Sequence, residues 1–451
     1  MKKMCIWMVI YIITMGTAYA QLPKLPKTPQ TPKVEKGEAK EETKGKIYYV
    51  SANRGSGREG TKENPAKDLS SIISLLKPGD IVYIAQGVYT GKMGAGSDKI
   101  TVPVSIIGGF NDDFTERDPW GKYLTIFTGK NTLDASTEER LNIETSETFS
   151  EYKGKIVIDG IIFDNGPRNQ YKEGGELIVV RKADQTRGLN ATPSTAVLRV
   201  KVGKYTDVEI KNCIALNVNS TSGVFSVFAN KGSNVLIENN LLINNSGEAI
   251  YAMTLWHNKE DMAKFKILNN TILFTWKYEP LAESYSGTGI KCDKEVNLHI
   301  EGNVIGFSDI GGFDNIKKAE NVVLKNNLFT GNRQFDYREF NTMMKVSDIA
   351  DYAEALSSDS KGNISEKITV PVNEKWANYY ANRKEISRAQ VEANVKAENS
   401  DINAIRSMLG LPLVGTSVNV DVDVWLHRLP FEDALKVGSS KFLGKYGCSK
   451  P

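Results

Sequence analysis

The chain has 451 residues, 40% hydrophobic and 25% charged, a balance typical of a soluble protein with a sizeable core. The formal net charge of +3 overstates the basicity of the folded part: Lys2, Lys3 and seven lysines against four glutamates within residues 21–46 leave the remainder at −2. A near-neutral body excludes the basic footprint of a nucleic-acid binder, and three scattered histidines with four cysteines exclude a zinc cluster at any recognised spacing.

Residues 1–20 read as a secretory signal peptide. Lys2 and Lys3 precede an apolar run from Ile6 to Met15, and Ala18-Tyr19-Ala20 is a small-x-small cleavage site. The run is too short to cross a bilayer and no later one is longer, so we expect a secreted or surface-exposed protein with no transmembrane span. Cys5 precedes the apolar run and is no lipidation site. Cleavage would leave Cys213, Cys292 and Cys448, an odd number that argues against a disulfide framework. Residues 21–46 hold Pro23, Pro26, Pro29 and Pro32 among lysines and glutamates, with no aromatic, and read as a disordered linker.

The folded body opens at Ile47. IYYVS (47–51) alternates as a strand, residues 53–65 form a Gly-rich loop, and Asp68 caps a short amphipathic helix to Leu76 that Pro78-Gly79 ends. DIVYIAQGVYTG (80–91) reads as strand, glycine turn and strand. Asp112, Asp113, Glu116 and Asp118 form either an oxygen-rich loop for Ca²⁺ or a solvated turn enclosing Arg117. Residues 132–152 are polar and read as a loop excursion, and GGELIVVRK (174–182) and TAVLRVKV (195–202) as strands.

Between Val208 and Thr330 one phrase recurs five times: VEIKNCIAL (208–216), VLIENNLLI (235–243), FKILNNTIL (265–273), LHIEGNVIG (298–306) and VVLKNNLFT (322–330). Aligned on Cys213, Asn240, Asn270, Asn303 and Asn327, the steps are 27, 30, 33 and 24 residues. IVIDGIIFD (156–164) puts Ile161 in the same column, 52 residues earlier, which suggests two steps of 26. Apolar residues alternate with polar ones at period two, the mark of a strand. One short strand cannot bury its own apolar face, but stacked copies can; the period leaves room for three strands and three turns per coil, the arithmetic of a parallel β-helix. The Asn pairs fall at a turn, where Asn tolerates left-handed backbone and one of the two rows can stack as an amide ladder.

Near Phe340 the phrase stops. Ser347 caps a short helix through Leu356, residues 372–409 are helix-rich, and Gly410 and Pro412 end them. SVNVDVDVW (417–425) alternates as a strand; Asn419, Asp421 and Asp423 resemble the start of a calcium loop but lack its glycine and distal glutamate. Residues 341–451 are expected to form a helix-rich cap or module over the last coil of a body spanning 47–340.

The run from YYVSANRGSG through GTKENPAKDLSSIISLLKPGDIVYIAQGVYTG resembles the opening of secreted right-handed parallel β-helix proteins of the pectate-lyase-like superfamily. VPVSIIGGFNDDFTERDPWGKYLTIFTG (102–129) resembles a segment of bacterial surface β-helix proteins. The resemblance implies an all-β solenoid, a right-handed parallel β-helix whose N-terminal helix caps the open sheet edges, with a mixed, helix-rich C-terminal appendage. It implies no single activity, because the superfamily holds lyases, hydrolases, epimerases and proteins without known catalysis.

A second strand also repeats after glycine turns: GVFSVF (223–228), GEAIYAM (247–253) and GTGIKCD (287–293). Alignment on the glycines turns Phe225, Ile250 and Ile290 inward, and Tyr251 and Lys291 outward as neighbours on adjacent coils. The flanking connections bring Trp256, His257, Trp276, Tyr278 and Tyr285, flat side chains suited to sugar rings. β-Elimination from a uronate polymer needs a base, for which Lys291, Tyr251 and His257 are candidates, with Asp293 as orienter or Ca²⁺ ligand. Hydrolysis needs two carboxylates, here Glu248 and Asp293. The expected partner is a polysaccharide or cell-surface glycan, with no obligatory cofactor; the rival expectation is a non-catalytic adhesin or scaffold.

Overall fold

The computed structural model describes residues 45–92, 96–128, 139–164, 196–218, 220, 223–256, 259–277, 287–382, 396–413, 417–419 and 428–451. Three short strands make each coil, and each strand pairs in parallel with its equivalents one coil before and after, giving three nine-stranded sheets. Sheet A runs from Ile47–Val50 to Asn321–Lys325, sheet B from Gly87–Tyr89 to Ile364–Ser365, and sheet C from Asp98–Ile100 to Thr342–Met344. The chain is thus a parallel β-helix, closed at the end of sheet C by one antiparallel hairpin.

The repeated phrase is a sheet A strand, a corner and a sheet B strand. Val208, Val235, Phe265, Leu298 and Val322 lie in one register row, and Ile210, Ile237, Ile267, Ile300 and Leu324 in another; both rows face the core. Glu209, Leu236, Lys266, His299 and Val323 alternate with them and face out, as period two requires.

Both Asn rows at the corner have structural roles. Asn212, Asn239, Asn269 and Asn326 take left-handed backbone, with φ of 49–54°, and glycine replaces Asn at Gly160 and Gly302. The following residues form the buried ladder. Asn240 Nδ2 donates to Ile210 O and to Asn270 Oδ1, both at 2.9 Å, and its own N–H donates to the same Oδ1 at 2.9 Å. The pattern repeats through Asn303 and Asn327 to Asn363. Cys213 occupies the rung before Asn240, its backbone N–H donating to Asn240 Oδ1 at 2.9 Å and its thiol 3.8 Å from Ile158 O.

Several expectations from the sequence need correction. Ile156 pairs with Val208 directly, so the 52 residues between Ile161 and Cys213 are one coil with a long insertion and not two coils. Leu141–Glu144, inside the expected excursion at 132–152, is a sheet C strand, too short for its alternation to stand out. The expected helix at 68–76 is two 3₁₀ turns, Leu69–Ser71 and Ile73–Leu75; Asp68 accepts from Ser71 N–H at 3.0 Å, and Leu69, Ile72 and Leu76 join the core. The solenoid passes the expected limit at 340: Asn363 adds a ladder rung, and Ile364–Ser365 pairs with Leu328–Thr330. The expected strand at 174–182 lies outside the described residues, as does most of 417–425, of which Ser417–Asn419 pairs with Lys396–Glu398.

The C-terminal segment is only briefly an end cap. Met344 and Leu356 pack on the final coil, and Ser357 N–H donates to Val322 O at 2.8 Å. The rest runs back along the outer face of sheet B. That face is apolar, with Ile214, Leu216, Leu241, Ile243, Leu273, Val304 and Leu328, and the segment lays Trp376, Tyr380, Leu429, Val437 and Tyr446 over it. Phe274 and Phe307 hold φ of 57° and 52°, stack at 4.9 Å, and receive the helix Glu374–Asn382: Trp376 lies 4.8 Å from the Phe274 ring, and the Tyr380 hydroxyl donates to Phe307 O at 2.7 Å.

Two outcomes test this account. Asn270→Ala leaves buried amides of two coils without partners and is expected to cost about 3 kcal/mol or more, whereas Cys213→Asn, which gives the ladder an extra rung against Ile158 O, should hold or raise the melting temperature. A lower melting point for Cys213→Asn would mean that the rung geometry ends at Asn240. Trp376→Ala should destabilise by about 3–5 kcal/mol in chemical denaturation, since it opens a cavity over Phe274; an unchanged midpoint would show that the segment contributes nothing to the solenoid.

Candidate functional site

Sheet C carries the site because its outward residues form one line along the axis. Asn142, Arg199, Ser226, Tyr251, Lys291, Asp314 and Arg338 are register partners on successive coils. Phe225, Ile250 and Ile290 pair on the inward side and are fully buried, so the expected strand parity is that of the structure.

The line differs along its length. Towards its end, Arg338 makes a bidentate pair with Asp314, Nε to Oδ1 at 2.8 Å and Nη2 to Oδ2 at 2.5 Å, both side chains buried. In the other direction Arg199 pairs with Glu139, and Lys201 with Glu144 at 3.0 Å. The middle holds Tyr251 and Lys291, both half-buried as Arg199 is. Lys291 Nζ donates to Glu248 Oε1 at 2.9 Å and lies 5.4 Å from the centre of the Tyr251 ring. The Tyr251 hydroxyl stands 3.5 Å from Asp293 Oδ1, and the Thr254 N–H 3.4 Å from Asp293 Oδ2, so Asp293 is loosely held. Trp256 follows at the next corner with 49% of its surface exposed, whereas Trp120, Trp276 and Trp376 are buried.

Burial first, and then the carboxylates of Asp293 and Glu248, push the Tyr251 phenol well above its ordinary value. The protonated phenol is thereby favoured, and Tyr251 can donate a hydrogen bond here. Lys291, another of the three candidate bases, enters the site as half of an ion pair.

Of the remaining expected residues, Trp276 is corrected. It ends the sheet B strand Thr271–Trp276, and its ring is buried under the C-terminal segment, 5.3 Å from Tyr380, with Nε1 donating to Asn244 Oδ1 at 2.8 Å. Period two could not show that this strand is covered on both faces. His257, Tyr278 and Tyr285 lie outside the described residues. Arg199, Asp314 and Arg338 were missed; Asp314 and Arg338 lie in the strands Gly311–Asn315 and Phe335–Glu339, in the register column of Lys291.

The carboxylates at 112–118 are engaged by protein groups. Asp112 accepts from Ser51, Asn53 and Gln86, and Asp113 pairs with Arg54 at 2.6 Å. Glu116 accepts from Tyr123, and Asp118 pairs with Lys450 at 3.1 Å. Burial pushes the Asp112 carboxyl up, but the hydrogen bonds from Gln86, Asn53 and Ser51, helped by the Arg54 charge, outweigh it and hold the group below its ordinary value. Among the described residues, no three His, Cys, Asp or Glu side chains converge as a metal site.

No family model matches the chain, and no curated protein sequence matches it. Among solved structures, a rhamnogalacturonan lyase is similar at 14% identity over 73% of this chain and 92% of its own, with a TM-score of 0.36. The pectate lyase Pel9A is similar at 12% identity over 72% of this chain and 76% of its own, with a TM-score of 0.29.

The Tyr251 assignment has a spectroscopic consequence. A phenol whose folded value lies above its unfolded one stabilises the fold fully below the unfolded value, about 10, and that contribution is lost as pH rises beyond it. In an ultraviolet titration, Tyr251→Phe should leave the ionisation seen up to pH about 10 unchanged. A phenol missing from that early phase would mean that Tyr251 is more exposed than its contacts imply.

Proposed function

We propose that this β-helix is an exported protein that binds an extracellular polysaccharide along the outer line of sheet C, centred on Tyr251 and Lys291. The observation that carries the reading is the in-register pair of half-buried polar side chains on adjacent coils, with a half-exposed tryptophan at the next corner. A linear polymer fits a line of equivalent positions about 4.8 Å apart. The chemistry is that of sugar recognition: a phenol that keeps its proton, an ammonium, two carboxylates that accept from hydroxyls, and an indole whose face suits the C–H side of a pyranose. The signal read at residues 1–20 would bring the protein to that polymer.

Recognition is favoured over turnover by the ion pairs. The candidate base Lys291 already holds Glu248, and the candidate base Tyr251 keeps its proton. Binding of soluble polysaccharides by affinity electrophoresis, with product followed by ultraviolet absorbance and reducing ends, tests both parts. Wild type should be retarded without releasing product. Trp256→Ala should weaken binding by about 1–3 kcal/mol if its ring stacks on a sugar as aromatic rings stack on bases. Tyr251→Ala should weaken it further, while both variants melt like the parent. Retardation that both substitutions leave intact would move the site off this line; steady product release would make the protein an enzyme.

A further inference from the structure

We infer that the polysaccharide held at Tyr251 and Lys291 is uncharged, and that uronate polymers are excluded from this line. The inference rests on the polysaccharide reading above. At the centre one ammonium faces two carboxylates. Lys291 Nζ is already in contact with Glu248 Oε1 at 2.9 Å, their side chains 20% and 6% exposed. Asp293 stands beside the Tyr251 hydroxyl at 3.5 Å, and among the described residues it has no ion-pair partner. Among the described residues, the arginines of the line on either side are already engaged, Arg199 with Glu139 and Arg338 with Asp314.

A uronate carboxylate entering here meets net negative charge in a partly desolvated strip. It can reach Lys291 only by sharing the ammonium with Glu248, which weakens the pair that neutralises that buried carboxylate. A neutral pyranose incurs neither cost. Its hydroxyls donate to Asp293 and accept from the Tyr251 phenol, and its apolar side covers Trp256 without disturbing the Lys291–Glu248 pair.

The test runs the full-length mature protein through native gels containing soluble xylan, galactan, β-glucan or polygalacturonate, at low and high salt. We expect at least one neutral polymer to retard the protein independently of salt, and polygalacturonate to bind at least about tenfold more weakly. Asp293→Asn, which removes the unpaired charge and keeps the shape, should bring polygalacturonate binding closer to that of the neutral polymer. Retardation by polygalacturonate alone, abolished by salt, would overturn the inference while leaving the polysaccharide reading intact. An Asp293→Asn variant that folds but gains no uronate binding would overturn the part assigned to Asp293. Retardation by no polymer would remove the polysaccharide reading itself.

Discussion

Everything else in this molecule depends on the amide ladder at the corner between sheets A and B. A parallel solenoid needs one feature that repeats without error, because a one-residue slip on any coil would turn its apolar side chains outward. Here that feature is two residues long: a left-handed residue that turns the chain, then, from Asn240 to Asn363, a buried Asn that ties its coil to the next. The Asn supplies both a donor and an acceptor along the axis, so it satisfies backbone groups that the corner would otherwise bury without partners. With one corner held, the others are free to vary. The sheet B strands ending at Asp164 and Trp276 and the sheet C strands starting at Leu198 and Thr288 keep the registers of the repeat.

The ladder was also the most legible part of the sequence. Asn-Asn after an alternating strand marks the corner in three of the five phrases, and the parity of Val235, Ile237 and their equivalents follows from period two alone. The column of Tyr251 and Lys291 was legible for the same reason, since glycine turns mark its start. What was not legible follows physical rules as well. A coil of 52 residues looks like two of 26, because spacing counts residues and not strands. Glu248 and Asp293 could be placed near Tyr251 and Lys291 from the sequence, but not which of them pairs with which, because that depends on side-chain geometry.

Trp276 shows a further limit. Sheet B strands such as LLI, TIL and LFT carry apolar residues consecutively, which is the pattern of a strand buried on both faces. That signal was present in the repeat, but it does not say what covers the second face. The cover is the C-terminal segment, which begins some forty residues after the last phrase and reaches Asn217 through Leu429 and Asn239 through Ser449.

This coverage explains why the three faces of the solenoid differ in what they can do. Sheet B is spent on the C-terminal segment; the left-handed Phe274 and Phe307, which cost roughly 1–2 kcal/mol per residue in isolation, are held there by Trp376 and Tyr380. Sheet A remains open, but its outward charges pair across coils, Lys155 with Glu209 at 2.6 Å and Lys325 with Glu301 at 3.2 Å, and such exposed pairs contribute little and select no ligand. Sheet C combines an outward polar line, a buried Arg338–Asp314 pair towards one end, half-buried Arg199–Glu139 and Lys201–Glu144 pairs towards the other, and a half-buried centre at Tyr251 and Lys291. Rigid flanks around an accessible centre are what a binding line on a solenoid requires, because the ordering cost of its side chains has been met in folding and need not be met again on binding.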